Sequence, residues 1–373
     1  MATKKTQFNT KKPKSGSFAD FLYKDRFYNN KGKKKVVNKK SVVEYSGLSA
    51  LQEKIDTNKR VELDIENDTN LSVEKFKNLI NSYIQILNSL DYSLSIPPRV
   101  PFSNIKKEHY KYVELAAFSY WKSTKGDLIF ERNLETWRQF WITCERATII
   151  AQVIDSRNPN LFFNNDICKA FPNKKHLALC NKSDLIVNDD SLKEFFTDID
   201  YLTYSSKSDD NFLNLEIIID SKFKELLDDR DRMIGMIGYP NVGKSSTINM
   251  IFKNKKVSVS STPGKTKHLQ TVNGSKFTLL DCPGLVFPKH SKLTLLFMGV
   301  INSEQIYDLM SFEKDVLSVI GIPNIIKAYN LDETKLKNND ILDLVEKYKG
   351  VNRSRCLKMI ITDFALGQKN FSD

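Results

Sequence analysis

Through the middle of the chain, short apolar runs alternate with longer stretches in which apolar residues recur at helical spacing. Phe130 to Ala147 puts Leu134, Trp137, Trp141 and Cys144 on one helical face. Thr148 to Ile154 is then an apolar run of the kind buried on both faces of a parallel sheet. His176-Leu177-Ala178-Leu179-Cys180, Met233-Ile234-Gly235-Met236-Ile237 and Lys276-Phe277-Thr278-Leu279-Leu280 predict further strands. Ser245 to Ile251 predicts a helix, and Pro97, Pro98 and Pro101 interrupt a mainly helical region upstream. Strands alternating with helices imply a mainly parallel α/β sheet with helices on both faces and a ligand at the carboxyl ends of its strands.

Polar motifs follow these strands. Gly238-Tyr239-Pro240-Asn241-Val242-Gly243-Lys244-Ser245 fits the glycine loop whose backbone N–H groups surround phosphates. Gly238, Asn241, Val242, Gly243, Lys244, Ser245 and Ser246 are the expected phosphate-binding set, with Lys244 on the β and γ phosphates and Ser245 on Mg²⁺. Asp281-Cys282-Pro283-Gly284 supplies an acid for Mg²⁺ and, at Gly284, an N–H for the γ-phosphate. Thr266, in Pro263-Gly264-Lys265-Thr266, is the expected switch hydroxyl on Mg²⁺, with Thr262 and Thr271 as competitors.

Asn181-Lys182-Ser183-Asp184 selects the base. A carboxylate at Asp184 accepts from N1–H and the exocyclic amine of guanine, donors that adenine lacks, so it would discriminate GTP from ATP through an otherwise unpaired buried charge. Lys182 would lie along the ring and Asn181 would tie this loop to the glycine loop. Tyr204-Ser205-Ser206-Lys207 offers Ser206 and Lys207, with a backbone N–H near Ser206 for the guanine carbonyl. In a Ras-like chain the glycine loop comes first; here NKxD precedes it, the order of a circularly permuted G domain.

Charge adds a second feature. Residues 1–40 hold 13 Lys or Arg against Asp20 and Asp25, so +11 of the formal +12 lies in that arm. With Phe8, Phe18, Phe21, Tyr23, Phe27 and Tyr28 interleaved, the arm suits phosphate backbones and unpaired bases. A solvated tail or a nuclear address reads off the same lysines. Residues 1–19 lack acids but also lack Arg, which disfavours a mitochondrial presequence. The longest apolar run, Leu293 to Ile301, is short of the roughly 20 residues that cross a bilayer. Five scattered cysteines and four histidines, with no CxxC, argue against a metal site or disulfide framework and for a reducing compartment.

The sequence order NKSD, SSK, GYPNVGKSSTIN, PGKTK, DCPGLVFP resembles the circularly permuted GTPases of ribosome assembly. Phe130-Glu131-Arg132-Asn133-Leu134-Glu135-Thr136-Trp137-Arg138-Gln139-Phe140-Trp141 and Asp155-Ser156-Arg157-Asn158-Pro159 narrow the resemblance to the eukaryotic cytoplasmic large-subunit GTPases, over about residues 130 to 290. Ser156 replaces that family's usual Ala, and the linker after Leu185 is short. The resemblance implies a permuted Ras-like P-loop G domain (129–290) between a mainly helical N-terminal region (41–128) and a small helical C-terminal domain (291–373), preceded by the basic, disordered arm. It implies hydrolysis of GTP to GDP with Mg²⁺, and K⁺ if Asn241 is a potassium ligand rather than a shaper of the loop. Expected partners are the large ribosomal subunit, its rRNA and a nuclear export adaptor released in the cytoplasm, with the protein monomeric and away from membranes. Leu285 stands where Ras-like enzymes place a water-orienting Gln, so intrinsic hydrolysis should be slow and raised by the particle. Lys289, Lys292, Arg353 and Arg355 are candidate RNA contacts. A nucleolar or mitochondrial member of the permuted group, or a non-hydrolysing RNA-binding scaffold, are the alternative readings.

Overall fold

The computed structural model describes residues 73–186, 188–207, 219, 221, 232–252, 269–274, 277–306, 308–336, 340–369 and 371. The basic arm, residues 41–72 and Thr266 with its PGKT segment lie outside the described residues.

Helices α1 (Val73–Asn81), α2 (Ile84–Asn88) and α3 (Lys107–Ser123) come first, and the Pro97–Pro101 break falls between the last two. Helix α4 (Leu134–Arg146) starts four residues later than Phe130 because Asn133 caps it, its side chain accepting from Glu135 N. Trp137, Phe140, Trp141 and Cys144 form its buried face. Next come β1 (Ile149–Asp155), α5 (Pro159–Phe162), α6 (Asn165–Ala170), β2 (Lys175–Asn181), α7 (Asp190–Phe195), β3 (Asp200–Thr203) and β4 (Met233–Ile237). They are followed by α8 (Lys244–Ile251), β5 (Gln270–Asn273), β6 (Thr278–Asp281) and α9 (Lys292–Phe297). The chain ends in α10 (Glu313–Ile320), α11 (Ile322–Tyr329), α12 (Ile341–Lys349) and α13 (Arg353–Leu366).

The strands form one sheet in the order β3-β2-β1-β4-β6-β5, parallel except for the antiparallel edge pair β5–β6. Every residue of β1 is buried, as its apolar run requires of a central strand covered on both faces. Asp155 pairs with Asn181 and Gln152 with Ile237, so the carboxyl ends of β2, β1 and β4 open on the same edge. That is where an open α/β sheet places its ligand.

One hydrophobic core runs from Ile96 to Phe371, across both boundaries expected at 128 and 290. Its centre is aromatic: Trp121 meets Phe130 and Trp137, and Trp137 and Tyr239 both meet Phe287, with centroids 5.3–5.9 Å apart. Each such ring contributes roughly 1.5–3 kcal/mol by burial. Phe287 lies three residues past Gly284, so the strand end that carries DCPG is packed against the helices on its N-terminal side. A buried carboxylate joins those helices to one another: Glu114 in α3 takes Arg99 at 3.1 Å and Arg138 of α4 at 2.7 Å. Among the described residues no helix is long and apolar enough to cross a membrane.

Candidate nucleotide site

The glycine loop leaves β4 at Ile237 and enters α8 at Lys244. Gly243 has φ 99°, and a Cβ there would sit 2.1 Å from the Asn181 side-chain nitrogen, so only glycine admits the base loop this close. The Lys244 side chain is buried, its Nζ donating to the carbonyls of Gly238 at 2.8 Å and Tyr239 at 2.7 Å. Ser245 and Ser246 are half-buried in the first turn of α8, where free N–H groups and the helix dipole favour phosphate. Thr247 fixes that turn, donating to Gly243 O at 2.8 Å and meeting the buried Tyr204 hydroxyl at 2.7 Å.

Asn181 joins three segments. Its Nδ2 donates to Val242 O and its Oδ1 accepts from Ser206 N, both at 2.9 Å. Lys182, at φ 64°, has its Nζ 2.8 Å from the Asp155 carboxylate. Asp184 is exposed rather than buried, and Ser205 Oγ donates to its Oδ1 at 2.5 Å while accepting from Lys207 N at 3.2 Å. The base loop is thus braced from β1 through Lys182 and from the turn after β3 through Ser205.

Asp281 ends β6, paired in register with Met236 of β4. Both of its carboxylate oxygens are buried without a hydrogen-bond partner. Burial pushes its carboxyl up to about 6, with Lys244 pulling the other way. Burial likewise brings the Lys244 amine down to about 8, against the attraction of Asp281. A Cβ on Gly284 would lie 3.2 Å from Lys244 Nζ, so DCPG and the glycine loop are neighbours. A buried lysine and a buried carboxylate that attract each other, the carboxylate oxygens without a hydrogen-bond donor, and a helix N-terminus form a set that fits a nucleotide polyphosphate with a divalent cation.

Leu285 is fully buried, and its N–H donates to Gly238 O at 3.2 Å. The side chain after DCPG therefore belongs to the core. Asn241, also at positive φ, donates through Nδ2 to Gly299 O at 2.7 Å. Of the candidate RNA contacts, Arg353 is engaged instead with Glu313 and Asp340, whereas Lys289 is exposed, its Nζ 3.4 Å from Asn164 Oδ1. Lys292 and Arg355 are exposed. A recess of about 400 Å³ between Arg157–Asn160 and Ser191, Glu194 and Phe195 of α7 contains none of the phosphate-loop or base-loop residues.

Asp155, Ser205 and the Tyr204–Thr247 pair were missed as site residues. The DSRNP stretch marked only a family likeness, and nothing in its spacing indicates that its acid pairs with Lys182.

Asn181 reaches Val242 because NKSD and the glycine loop end strands on either side of β1, although NKSD comes first in the chain. That geometry on a mainly parallel sheet defines the class: a circularly permuted P-loop GTPase fold. The family model described as 50S ribosome-binding GTPase matches residues 233–352, beginning at β4 and leaving NKSD upstream. The chain is similar to proteins named Large subunit GTPase 1. It is 39% identical to the one from Schizosaccharomyces pombe, over 48% of this chain and 37% of that protein. It is 29% identical to GTPase LSG1-2 of Arabidopsis thaliana, over 84% of this chain and 66% of that protein. The chain spans little more than a third of the fission-yeast relative. A solved structure of GNP-bound YlqF from T. maritima aligns over 63% of this chain and 96% of its own at 19% identity, with a TM-score of 0.43.

Proposed function

We propose that this protein is a GTP-binding and GTP-hydrolysing switch that docks on the large ribosomal subunit and promotes release of an assembly or export factor late in cytoplasmic maturation. The observation that carries the reading is the Asn181 bridge between Val242 and Ser206, which joins a guanine-type loop to a phosphate loop at one edge of the sheet. The names of the relatives supply the ribosomal half.

In this reading Gly238, Asn241, Val242, Gly243, Lys244, Ser245 and Ser246 hold the phosphates, while Asn181, Lys182, Asp184, Ser206 and Lys207 hold the base. Ser245, Thr266 and Asp281 would hold Mg²⁺, which supplies charge neutralisation between the β and γ phosphates. Gly284 presents its N–H to the γ-phosphate. Lys244 exchanges two carbonyl bonds for phosphate oxygens, and Asp281 gains a counter-charge for its buried carboxylate. With Leu285 in the core, the chain brings no side chain at that position to orient water, so intrinsic hydrolysis is slow and the particle supplies the acceleration. The Asn241 oxygen is the atom available to K⁺, since its nitrogen is committed to Gly299. The basic arm, Lys289, Lys292 and Arg355 contact rRNA.

The test is mass spectrometry of the particle that co-purifies with tagged Thr266→Ala, a substitution that slows switching. A nearly mature large subunit retaining its export adaptor is the expected result. Early precursors or mitochondrial ribosomal proteins would move the protein to another compartment, and no ribosomal particle would contradict the reading.

A further inference from the structure

Asp155-Ser156-Arg157, at the end of β1, lies between the base loop and the last turn of α13. Asp155 is fully buried and opposite Asn181 in the sheet. Its carboxylate takes Lys182 Nζ at 2.8 Å and Arg157 through Nε at 3.0 Å and Nη2 at 2.8 Å. The guanidinium also faces away from the sheet: Nη1 donates to Phe364 O at 2.8 Å and Nη2 to Ala365 O at 2.7 Å. These carbonyls lie in the last turn of α13, at the negative end of its dipole, where Phe364 O also accepts from the Gly367 N–H at 3.2 Å. Buried Ser156 donates to Asn181 O through Oγ at 2.7 Å and through its N–H at 2.9 Å.

A second contact runs alongside. Gly367, the left-handed residue that ends α13, lies so close to Leu185 of the base loop that a Cβ would be 2.3 Å from Leu185 Cδ1. Burial alone would raise the Asp155 carboxyl, but its bonds to Arg157 and Lys182 outweigh burial and hold it below the usual carboxylate range. The ion group is therefore a fully occupied unit. An arginine is suited to it because one planar fork meets a carboxylate on one edge and two carbonyls on the other.

We propose that Arg157, acting through Asp155, is a positioning residue for the base loop that makes guanine binding depend on the seating of α13. By linkage, nucleotide binding tightens that seat by the same factor. The C-terminal helices then sense nucleotide occupancy through the base side of the site, in addition to the phosphate side that DCPG supplies. The proposal rests on reading residues 181–184 as the guanine loop.

Arg157→Lys separates the two halves of the contact: a lysine can still pair with Asp155 but cannot also span both carbonyls. Arg157→Ala removes both. The measurement is GDP and ADP affinity of the full chain by calorimetry, with amide hydrogen exchange over residues 363–369 with and without saturating GDP. In the unaltered chain GDP slows that exchange about tenfold. Arg157→Lys loses the protection and, by the same linkage, about tenfold in GDP affinity although it keeps its pair with Asp155; Arg157→Ala loses the protection and at least as much affinity. A guanine-selective chain whose exchange at 363–369 ignores GDP overturns the proposal, as does an Arg157→Lys variant protected like the unaltered chain. An unaltered chain that binds ADP as tightly as GDP defeats the guanine-loop reading itself.

Discussion

Asn241 Nδ2 donates to Gly299 O at 2.7 Å, a bond from the glycine loop to the turn that ends α9. The phosphate loop is thereby tied to the C-terminal helices directly, without passing through DCPG. Asn241→Ala should lower stability by about 1 kcal/mol, the worth of one such bond, seen as a melting temperature lower by a few degrees. If Asn241 also holds K⁺, the same variant loses any difference in GTP turnover between KCl and NaCl. Turnover that still responds to KCl would remove Asn241 from the potassium reading and leave it as a structural tie.

Asp281 illustrates a function-for-stability exchange with a definite pH signature. Its folded carboxyl titrates at about 6 against an ordinary value of 3.8, because it is buried. The folded state therefore takes up the proton first: this contribution to stability is fully present below about pH 4 and is lost as pH rises through 6. Asp281→Asn should make the nucleotide-free, metal-free protein more stable at pH 7, on the order of 2 kcal/mol, with the gain vanishing near pH 4. Urea titrations in EDTA at pH 4, 5.5 and 7 measure this. The same variant should lose Mg²⁺-dependent nucleotide binding. Equal stability of the two proteins at pH 7 would mean that Asp281 is compensated in the folded state.

Asp184 is exposed, with Ser205 at 2.5 Å as its brace. Asp184→Asn should weaken GDP by on the order of 10²-fold or more and shift preference toward the xanthosine nucleotide, because the site's hydrogen-bond pattern is inverted. Ser205→Ala leaves the carboxylate in place but unbraced, and should cost about tenfold, or ~1.4 kcal/mol. Competition against a fluorescent GDP analogue reads both. Undiminished guanine preference in Asp184→Asn would place base recognition elsewhere.

Phe287 fills the space between Trp137 and Tyr239. Phe287→Ala should destabilise the fold by about 3–5 kcal/mol, the usual cost of removing a buried phenyl ring. Denaturant unfolding checks this. A cost under about 1 kcal/mol would show that the aromatic centre closes over the gap and that the DCPG segment is not anchored there.

The sheet was legible because its strands are short apolar runs bounded by phosphate- and base-type motifs, so β1, β2 and β4 fall within a residue or two of where hydrophobicity puts them. The permuted order, too, is plain from NKSD standing ahead of the glycine loop. Pairing between side chains distant in sequence was not legible. Arg353 reads as a free cation near an RNA-facing terminus, yet Glu313 and Asp340 engage it, and both lie on other elements. Asp184 was expected to be buried and is exposed, because NKxD spacing specifies a hydrogen-bond pattern but not depth. Lys182 is matched with Asp155 only through the β1–β2 register, which places Asp155 against Asn181.

The most direct test of the central claim is phosphate release from GTP by the full chain under multiple turnover, with and without purified large ribosomal subunits. Slow release from the protein alone, a marked rise with subunits, no comparable release from ATP, and loss of the signal in Lys244→Ala are expected. Release that ignores the subunits, or that proceeds equally from ATP, would contradict the claim.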